Sequence, residues 1–190
     1  RLVFARGRAS APCIIFFDEL DALVPRRGGD SGSAATERVV NQLLTEMDGL
    51  EGRRQVFVVG ATNRPDIIDP AMLRPGRLDK LLYVPIPDAD ARVGILAAAA
   101  RKTPCDADVR LDDIARDARC DGFSGADLAQ LVREAAVLAL REVTVAKPPG
   151  AAASCVSARH FEAALTVVVP SVSAAEENRY KALSLRRSRA

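Results

Sequence analysis

Two adjacent carboxylates, Asp18 and Glu19, directly follow a run of apolar, β-prone residues at 13–17 (CIIFF). In open sheets of parallel strands, ligands bind at the carboxyl ends of the strands. Phosphoryl transfer needs Mg²⁺ to neutralise the phosphates and a group that orients or deprotonates the attacking water. We therefore assign Asp18 to Mg²⁺ and Glu19 to the water. The pattern alone leaves a structural alternative open, in which both acids cap the strand and pair with arginines.

A second polar segment follows the next apolar run of the chain. Residues 56–59 (VFVV) lead into ATNRP at 61–65 and then into LRPGRLD at 73–79. Together with the acid pair, these stretches resemble the AAA family of ATPases. The first strand with its two acids looks like that family's Walker B element, and residues 61–80 are similar to its second region of homology almost residue for residue.

The resemblance implies roles for three residues of this segment. Asn63 matches the sensor 1 residue, whose amide hydrogen-bonds the γ-phosphate or the attacking water; adjacent parallel strands would place it beside the acid pair. Arg74 and Arg77 match the arginine fingers, which reach the γ-phosphate held by a neighbouring subunit. Arginine suits this task because its planar, permanently charged fork of donors fits phosphate oxygens. For either arginine alone, a surface salt bridge with Asp69 or Asp79 is the alternative.

A third motif, GFSGADL at 122–128, lies in the helical part of the sequence. Ser124 and Asp127 have the spacing of a capping box, which begins a helix and leaves its positive end exposed. Gly125 and Ala126 have almost no side chain, so a nucleotide can approach the backbone closely. In the family subgroup that the motif resembles, a Gly-Ala pair replaces the sensor 2 arginine and implies contact with adenine or ribose. An ordinary capped helix is the alternative.

Two further segments are interpreted only through the resemblance. Residues 47–50 (MDGL) resemble the element that passes the nucleotide state between subunits, with Asp48 as the candidate messenger. The Gly- and Arg-rich loop at 26–32 would face a central pore, where Arg26 and Arg27 touch a threaded polypeptide. A helix stop and a solvated loop are the respective alternatives.

The elements that must position these residues follow from hydrophobic periodicity. The runs at 13–17 and 56–59 indicate parallel strands, the first of them buried on both faces. Apolar residues recur at helical spacing over 40–47, and Gly49 follows where a left-handed C-cap would lie. Strand, helix and strand in this order predict an α/β fold with a parallel sheet. A third short strand is expected at 81–84.

Beyond residue 87 the strand signals stop and helical patterns take over. We therefore predict an α/β unit over 1–87, which by resemblance is the AAA core from the Walker B strand onward. A small all-helical lid follows over 88–170, and a C-terminal helix with a frayed basic tail over 171–190. Residues 147–154 indicate a flexible connection between lid helices, and Ser157 an N-cap.

Composition excludes several classes of protein. The chain of 190 residues is 48% hydrophobic and 27% charged, and its 27 basic and 25 acidic side chains leave a net charge of only +2. This balance predicts no direct nucleic-acid or membrane binding, and no apolar run is long enough to cross a bilayer. The four cysteines form no CxxC pair, which favours a reducing compartment over a zinc or disulfide framework. His160, the single histidine, is expected on a helix surface.

The family resemblance also implies a function. AAA proteins hydrolyse ATP with Mg²⁺ in rings, here expected to be homo-hexameric, and act on polypeptides. LDK at 78–80 and DARCD at 117–121 look closest to the second ATPase domain of nuclear valosin-containing protein-like ATPases, which remodel pre-60S ribosomal particles in the nucleolus. Residues 41–50 and 156–162 are similar to valosin-containing protein, so a quality-control unfoldase is the alternative. The implied location is nuclear or nucleolar, and otherwise cytosolic.

One departure from the family pattern is large. No GxxxxGK[ST] loop (Walker A) occurs in the sequence, so nothing wraps the β- and γ-phosphates. We expect a fragment that alone neither binds ATP tightly nor hydrolyses it. A degenerate, non-catalytic ring-assembly module is a second class, although the retained site residues argue against decay. A nucleic-acid helicase, suggested by DELD at 18–21, ranks last because later arginine-rich helicase motifs are absent.

Overall fold

The computed structural model describes residues 1–26, 34–49, 55–146 and 155–187. The chain divides into two compact units, Arg1–Leu82 and Tyr83–Ala190. The predicted loop from Arg27 to Gly32 and the predicted connection at 147–154 lie outside the described residues.

The first unit is built on a parallel pair of strands. Its helices are α1 (Leu2–Ala9), α2 (Leu20–Leu23) and α3 (Ala34–Asp48), its strands are β1 (Cys13–Phe17) and β2 (Val56–Gly60), and a 3₁₀ turn covers Pro70–Leu73. The strands pair in parallel, from Cys13 opposite Val56 to Phe17 opposite Gly60. The predicted strand–helix–strand order and the parallel pairing are confirmed.

Packing against one face of the strand pair forms the core of this unit. On α3, Val40, Leu44 and Met47 are buried, because residues four and three apart share one helix face. On α1, a Cβ added to Gly7 would lie 2.9 Å from Cδ1 of Ile15, so glycine lets this helix lie directly on β1. The remaining buried apolar members are Phe4, Leu20, Val24, Ile68 and Met72.

Three sequence predictions for this unit are wrong. The first strand is not buried on both faces, because Ile14 and Phe16 are 68% and 58% exposed; alternate strand residues point to opposite faces, and the described residues pack on the face of Ile15. No strand forms at 81–84 among the described residues, since a strand needs a ladder partner. Gly49 has no left-handed φ; its N–H continues the helical bonding to the carbonyl of Thr45.

The second unit is helical in its described residues. Its helices are α4 (Ala89–Ala100), α5 (Leu111–Arg116), α6 (Gly125–Ala146), α7 (Ala158–Ala164) and α8 (Ala174–Arg187), with a 3₁₀ turn at Ala118–Cys120. On α6, a buried apolar face contains Leu128, Leu131, Val132 and Ala135. Ser157 is the N-cap of α7, as predicted. Among the described helices, none has the length and apolarity needed to cross a membrane.

The prediction that His160 lies on a helix surface is also wrong, because its side chain is buried. The backbone N–H of Ser157 donates to its Nδ1 at 3.0 Å, and Nε2 lies 2.8 Å from a carboxylate oxygen of Glu142. An Nδ1 that accepts leaves the ring proton on Nε2, facing that carboxylate. The histidine therefore joins α7 to α6 in a structural role.

Candidate functional site

The carboxyl ends of β1 and β2 bring two predicted polar segments to one edge of the sheet. The N–H of Ala61 donates to the carbonyl of Phe17 at 2.8 Å, and the N–H of Leu20 donates to the carbonyl of Ala61 at 2.9 Å. These bonds extend the strand ladder past its paired ends. We call residues 18–21 and 61–64 at this edge the strand-end site.

Asp18 and Glu19 are both exposed at the strand-end site. Glu19 has left-handed backbone angles, φ 48° and ψ 49°, a conformation that non-glycine residues seldom adopt. The chain therefore turns sharply after Asp18, whose Oδ1 accepts from the N–H of Glu19 at 2.9 Å. An exposed carboxylate of this kind fits Mg²⁺, which takes one or two protein carboxylates together with substrate phosphates.

Thr62 and Asp21 connect the two halves of the strand-end site through their side chains. The hydroxyl of Thr62 donates to Oδ1 of Asp21 at 2.6 Å and accepts from the N–H of Arg64 at 2.9 Å. The second bond folds the backbone around Asn63. Sequence reasoning missed this pair, although Thr62 directly precedes Asn63 and Asp21 lies two residues after Glu19, and the shared sheet edge could have suggested it.

A β-turn sets the spacing of Arg74 and Arg77. The N–H of Arg77 donates to the carbonyl of Arg74 at 3.2 Å, and Gly76 has φ +84°. Proline in the second position and a positive-φ glycine in the third are typical of a type II turn. Arg74 is exposed, so its guanidinium can reach a group outside the chain.

The guanidinium of Arg77 is held within its own chain. Its Nε and Nη2 donate to the two carboxylate oxygens of Asp48 at 2.6 and 2.8 Å, and Nη1 donates to the carbonyl of Ala71 at 2.6 Å. The hydrogen bonds from Arg77 hold the pKa of Asp48 below its ordinary value. Arg77 thus forms a salt bridge with Asp48, a partner that the sequence reasoning did not name.

Arg77 lies far from the strand-end site of its own chain. It lines a cavity of about 390 Å³ together with Met47, the first three residues of β2 and residues 76–80. This cavity is at the amino end of β2, and the five residues of that strand span about 13 Å at roughly 3.3 Å per residue. The geometry therefore separates Arg77 from the acids at the opposite end of the strand.

The amino end of α6 carries the other predicted nucleotide contacts. Gly125 and Ala126 are exposed in its first turn. The predicted capping box is present: Asp127 Oδ2 accepts from the N–H of Ser124 at 2.8 Å, and the hydroxyl of Ser124 accepts from the N–H of Asp127 at 3.3 Å. The helix therefore begins here with two small residues facing solvent.

Asp127 itself is buried, and several donors converge on its Oδ2. Its Oδ2 also accepts from the hydroxyl of Ser124 at 2.8 Å and from the N–H and hydroxyl of Ser171 at 3.2 and 3.0 Å. Burial alone would raise the pKa of Asp127, but the hydrogen bonds from the two serines outweigh burial and hold the pKa below 3.8. This carboxylate stays ionised as a structural group.

Within the described residues, no group of three or more His, Cys, Asp or Glu side chains is arranged to hold a metal. A magnesium site completed by nucleotide phosphates needs no such group. Of the loop interpreted as facing a pore, only Arg26 is described; its N–H donates to the carbonyl of Ile67 at 2.6 Å.

Comparisons with known proteins agree with these motifs. The family model described as "ATPase family associated with various cellular activities (AAA)" matches residues 1–86, and the one described as "AAA+ lid domain" matches residues 108–163. "Nuclear valosin-containing protein-like" of Mus musculus is 55% identical over 188 residues, 96% of this chain and 22% of that protein.

Two further relatives are named for a cellular process. "Putative ribosome biogenesis ATPase nvl" of Dictyostelium discoideum is 52% identical over 189 residues, 97% of this chain and 21% of its own length. "Ribosome biogenesis ATPase RIX7" of Saccharomyces cerevisiae is 59% identical over 143 residues, 74% of this chain and 17% of its own length. The chain thus spans about a fifth of the length of these relatives.

Proposed function

Because the chain belongs to the AAA family of ATPases, with an AAA core segment followed by an AAA lid, we propose that it supplies the hydrolytic residues of an ATP site in a ring. The observation that carries the proposal is the strand-end site. Parallel pairing of β1 and β2 brings the acid pair and the segment of Asn63 to one sheet edge, where ligands of parallel sheets bind.

Three residues of the strand-end site and two residues of α6 have proposed tasks in this reaction. Asp18 would hold Mg²⁺, which neutralises charge on the phosphates when bound. Glu19 would orient the attacking water and accept its proton, and the amide of Asn63 would hydrogen-bond the γ-phosphate or the water. Gly125 and Ala126 would let the adenine or ribose approach the backbone of α6.

Arg74 and Arg77 are proposed to act on the nucleotide of a neighbouring subunit. The position of Arg77 at the amino end of β2, away from the acids of its own chain, supports action between subunits. In other nucleotide hydrolases an arginine supplied in this way raises the rate about 10³- to 10⁵-fold. A ring, proposed to be a homo-hexamer, would bring Arg74 and Arg77 of one copy to the strand-end site of the next.

The process in which the ring works is proposed from the relatives. Two of them are named as ribosome biogenesis ATPases and a third as nuclear. We therefore propose that the protein remodels ribosomal precursor particles, specifically pre-60S particles, by acting on their polypeptides in the nucleus or nucleolus.

Glu19→Gln in the full-length protein tests the catalytic proposal. Glutamine keeps the size of the side chain but cannot accept a proton, so ATP hydrolysis should fall by roughly 10² to 10⁴-fold while ATP binding is retained. Glu37→Gln, an exposed acid in the first turn of α3, is the matched control. Unchanged hydrolysis in the Glu19 variant would favour a non-catalytic ring module.

Mixed rings test which subunit supplies each group. Arg77→Ala should lower hydrolysis in assembled rings, because its guanidinium serves the neighbouring site. When Arg77→Ala and Glu19→Gln subunits are mixed, some interfaces combine the intact Arg77 of one subunit with the intact Glu19 of the next, and activity above both pure rings is expected. A mixture no more active than its pure rings contradicts action between subunits.

A further inference from the structure

We propose that Thr62 and Asp21 form a positioning pair that sets the separation of Glu19 and Asn63. The inference rests on the proposed ATP hydrolysis at the strand-end site. Its basis is the hydrogen bond of 2.6 Å from the Thr62 hydroxyl to Asp21 Oδ1, which joins side chains 41 residues apart in the sequence.

The bond connects two residues that lie close in the sequence to the predicted catalytic side chains, one after β1 and one after β2. Asp21 lies two residues after Glu19, and Thr62 immediately precedes Asn63. The backbone bonds of Ala61 to Phe17 and Leu20 join the same segments but place no demand on side-chain type. The threonine–aspartate bond therefore adds a sequence-specific link between the two halves of the site.

The single hydroxyl of Thr62 acts in both directions. It has one proton to donate, which goes to Asp21, and lone pairs that accept from the N–H of Arg64 at 2.9 Å,. The hydroxyl oxygen of Thr62 thus both shapes the backbone around Asn63 and bonds Asp21. A hydroxyl that only stabilised the local turn would not need a partner in the segment that follows β1.

The backbone of Glu19 supports the same interpretation from the other side. A non-glycine residue in the left-handed region, here at φ 48°, is unfavourable and persists only where its surroundings fix it. Directly after Glu19, Leu20 is 2% exposed and its N–H donates to the carbonyl of Ala61. The next residue, Asp21, accepts the hydrogen bond from the Thr62 hydroxyl. These anchors hold the turn that presents the Glu19 carboxylate.

The consequence is catalytic rather than only structural. A misplacement of about 1 Å between reacting groups can cost roughly 10²-fold in rate. Loss of the Thr62 hydroxyl should therefore lower kcat, while the KM for ATP, which depends on phosphate and base contacts elsewhere, changes much less.

The test is steady-state ATP hydrolysis by the full-length protein carrying Thr62→Val, Thr62→Ser, Asp21→Ala or Asp21→Asn. Valine matches threonine in shape without the hydroxyl, and kcat should fall about 10- to 100-fold. Serine restores the hydroxyl and asparagine restores an acceptor, so both should lie within about 3-fold of the wild type. Thr45→Val is the matched control, because Thr45 is exposed and its hydroxyl donates to the carbonyl of Asn41 within its own helix.

The double variant Thr62→Val, Asp21→Ala separates a shared role from two independent ones. If one bond carries both effects, the kcat of the double variant should equal that of the less active single variant. It should not fall by the product of the two single fold-losses. Two results would overturn the proposed pair. One is a double variant whose fold-losses in kcat multiply, and the other is a kcat of Thr62→Val within about 3-fold of the wild type. If Thr62→Val does not fold, Asp21→Ala decides, and its kcat must fall over the same range.

Glu19→Gln distinguishes failure of this inference from failure of the proposed function. If Glu19→Gln abolishes hydrolysis while Thr62→Val is fully active, only the positioning pair is wrong. If Glu19→Gln remains fully active, the catalytic proposal itself is wrong and the positioning role falls with it.

Discussion

The strand-end site and the amino end of α6 are both built from hydroxyl and carboxylate side chains, but they use the carboxylates differently. At α6, Asp127 is 2% exposed and its Oδ2 accepts from Ser124 and Ser171. At the strand-end site, Asp18 and Glu19 are exposed. A carboxylate whose acceptor sites are taken by the protein stabilises the fold, whereas an exposed one at a sheet edge can serve a ligand.

This difference separates two kinds of consequence for the same chemical change. Removing the charge of an exposed acid at the strand-end site should change the reaction and leave the fold intact. Removing the charge of Asp127 should change the stability of the helical unit first. The comparison is wrong if removing the charge of an exposed strand-end acid destabilises the fold, or if removing the charge of Asp127 changes the reaction without changing stability.

Among the substitutions that test this comparison, Asp18→Asn should have the largest effect. Asparagine keeps the size of the side chain and an oxygen that can accept from the Glu19 N–H, but it removes the charge that would hold Mg²⁺. Hydrolysis by the full-length protein should fall roughly 10² to 10³-fold, with the melting temperature unchanged. Asp113→Asn, an exposed acid on α5, controls for loss of a surface charge. A lower melting temperature with normal hydrolysis would make Asp18 a structural cap.

The parts of this molecule that sequence predicts well are those set by local pattern. The apolar runs at 13–17 and 56–59 gave two strands, and the period of 40–47 gave α3. Because parallel strands share a carboxyl edge, the meeting of the acid pair with the segment of Asn63 followed from the strands alone. The Pro-Gly pair between the two arginines is typical of the observed turn, although the sequence analysis made no prediction of a turn there.

The parts that sequence did not predict depend on partners distant in the chain. The link from Arg77 to Asp48 crosses 29 residues, and the buried His160 bonds Glu142, 18 residues earlier in the chain. The apolar run at 81–84 is a plausible strand by composition, but strand formation requires a partner that composition does not name. Local periodicity carries no information about these pairings.

Asp127→Asn should have the second largest effect, on stability. Asparagine can still present an oxygen to the four donors, but the bonds lose their charge assistance, so the helical unit should lose about 1 to 3 kcal/mol of unfolding free energy at pH 7. Urea denaturation followed by circular dichroism measures it. Asp112→Asn, an exposed first-turn acid of α5, should change stability by less than about 0.5 kcal/mol.

The pH dependence of this effect has a defined sign. The pKa of Asp127 in the folded chain is held below 3.8, and a depressed folded pKa contributes stability that is present above the unfolded pKa and lost as pH falls through the folded one. The difference between wild type and Asp127→Asn should therefore be full at pH 7 and shrink below about pH 4. A difference that stays constant down to pH 2 contradicts an ionised, hydrogen-bonded Asp127.

Gly125→Ala should have the smallest effect, and it tests the one part of the amino end of α6 that is assigned to a ligand. A Cβ at Gly125 would meet only Cγ2 of Ile95, at 3.9 Å, which is ordinary contact; alanine also favours helix by up to about 1 kcal/mol. The fold should therefore be unharmed or slightly more stable. If a nucleotide approaches this backbone, the methyl group should weaken ATP binding about 10-fold, or 1.4 kcal/mol.

A titration of the full-length protein with a fluorescent ATP analogue measures the change. Gly94→Ala on α4 is the matched control, since a Cβ there meets nothing within 4 Å, and its affinity should equal that of the wild type. Equal affinity in Gly125→Ala would leave the first turn of α6 a purely structural helix start. The contrast between the two regions would then be complete, with the ligand contacts of the described chain confined to the first unit.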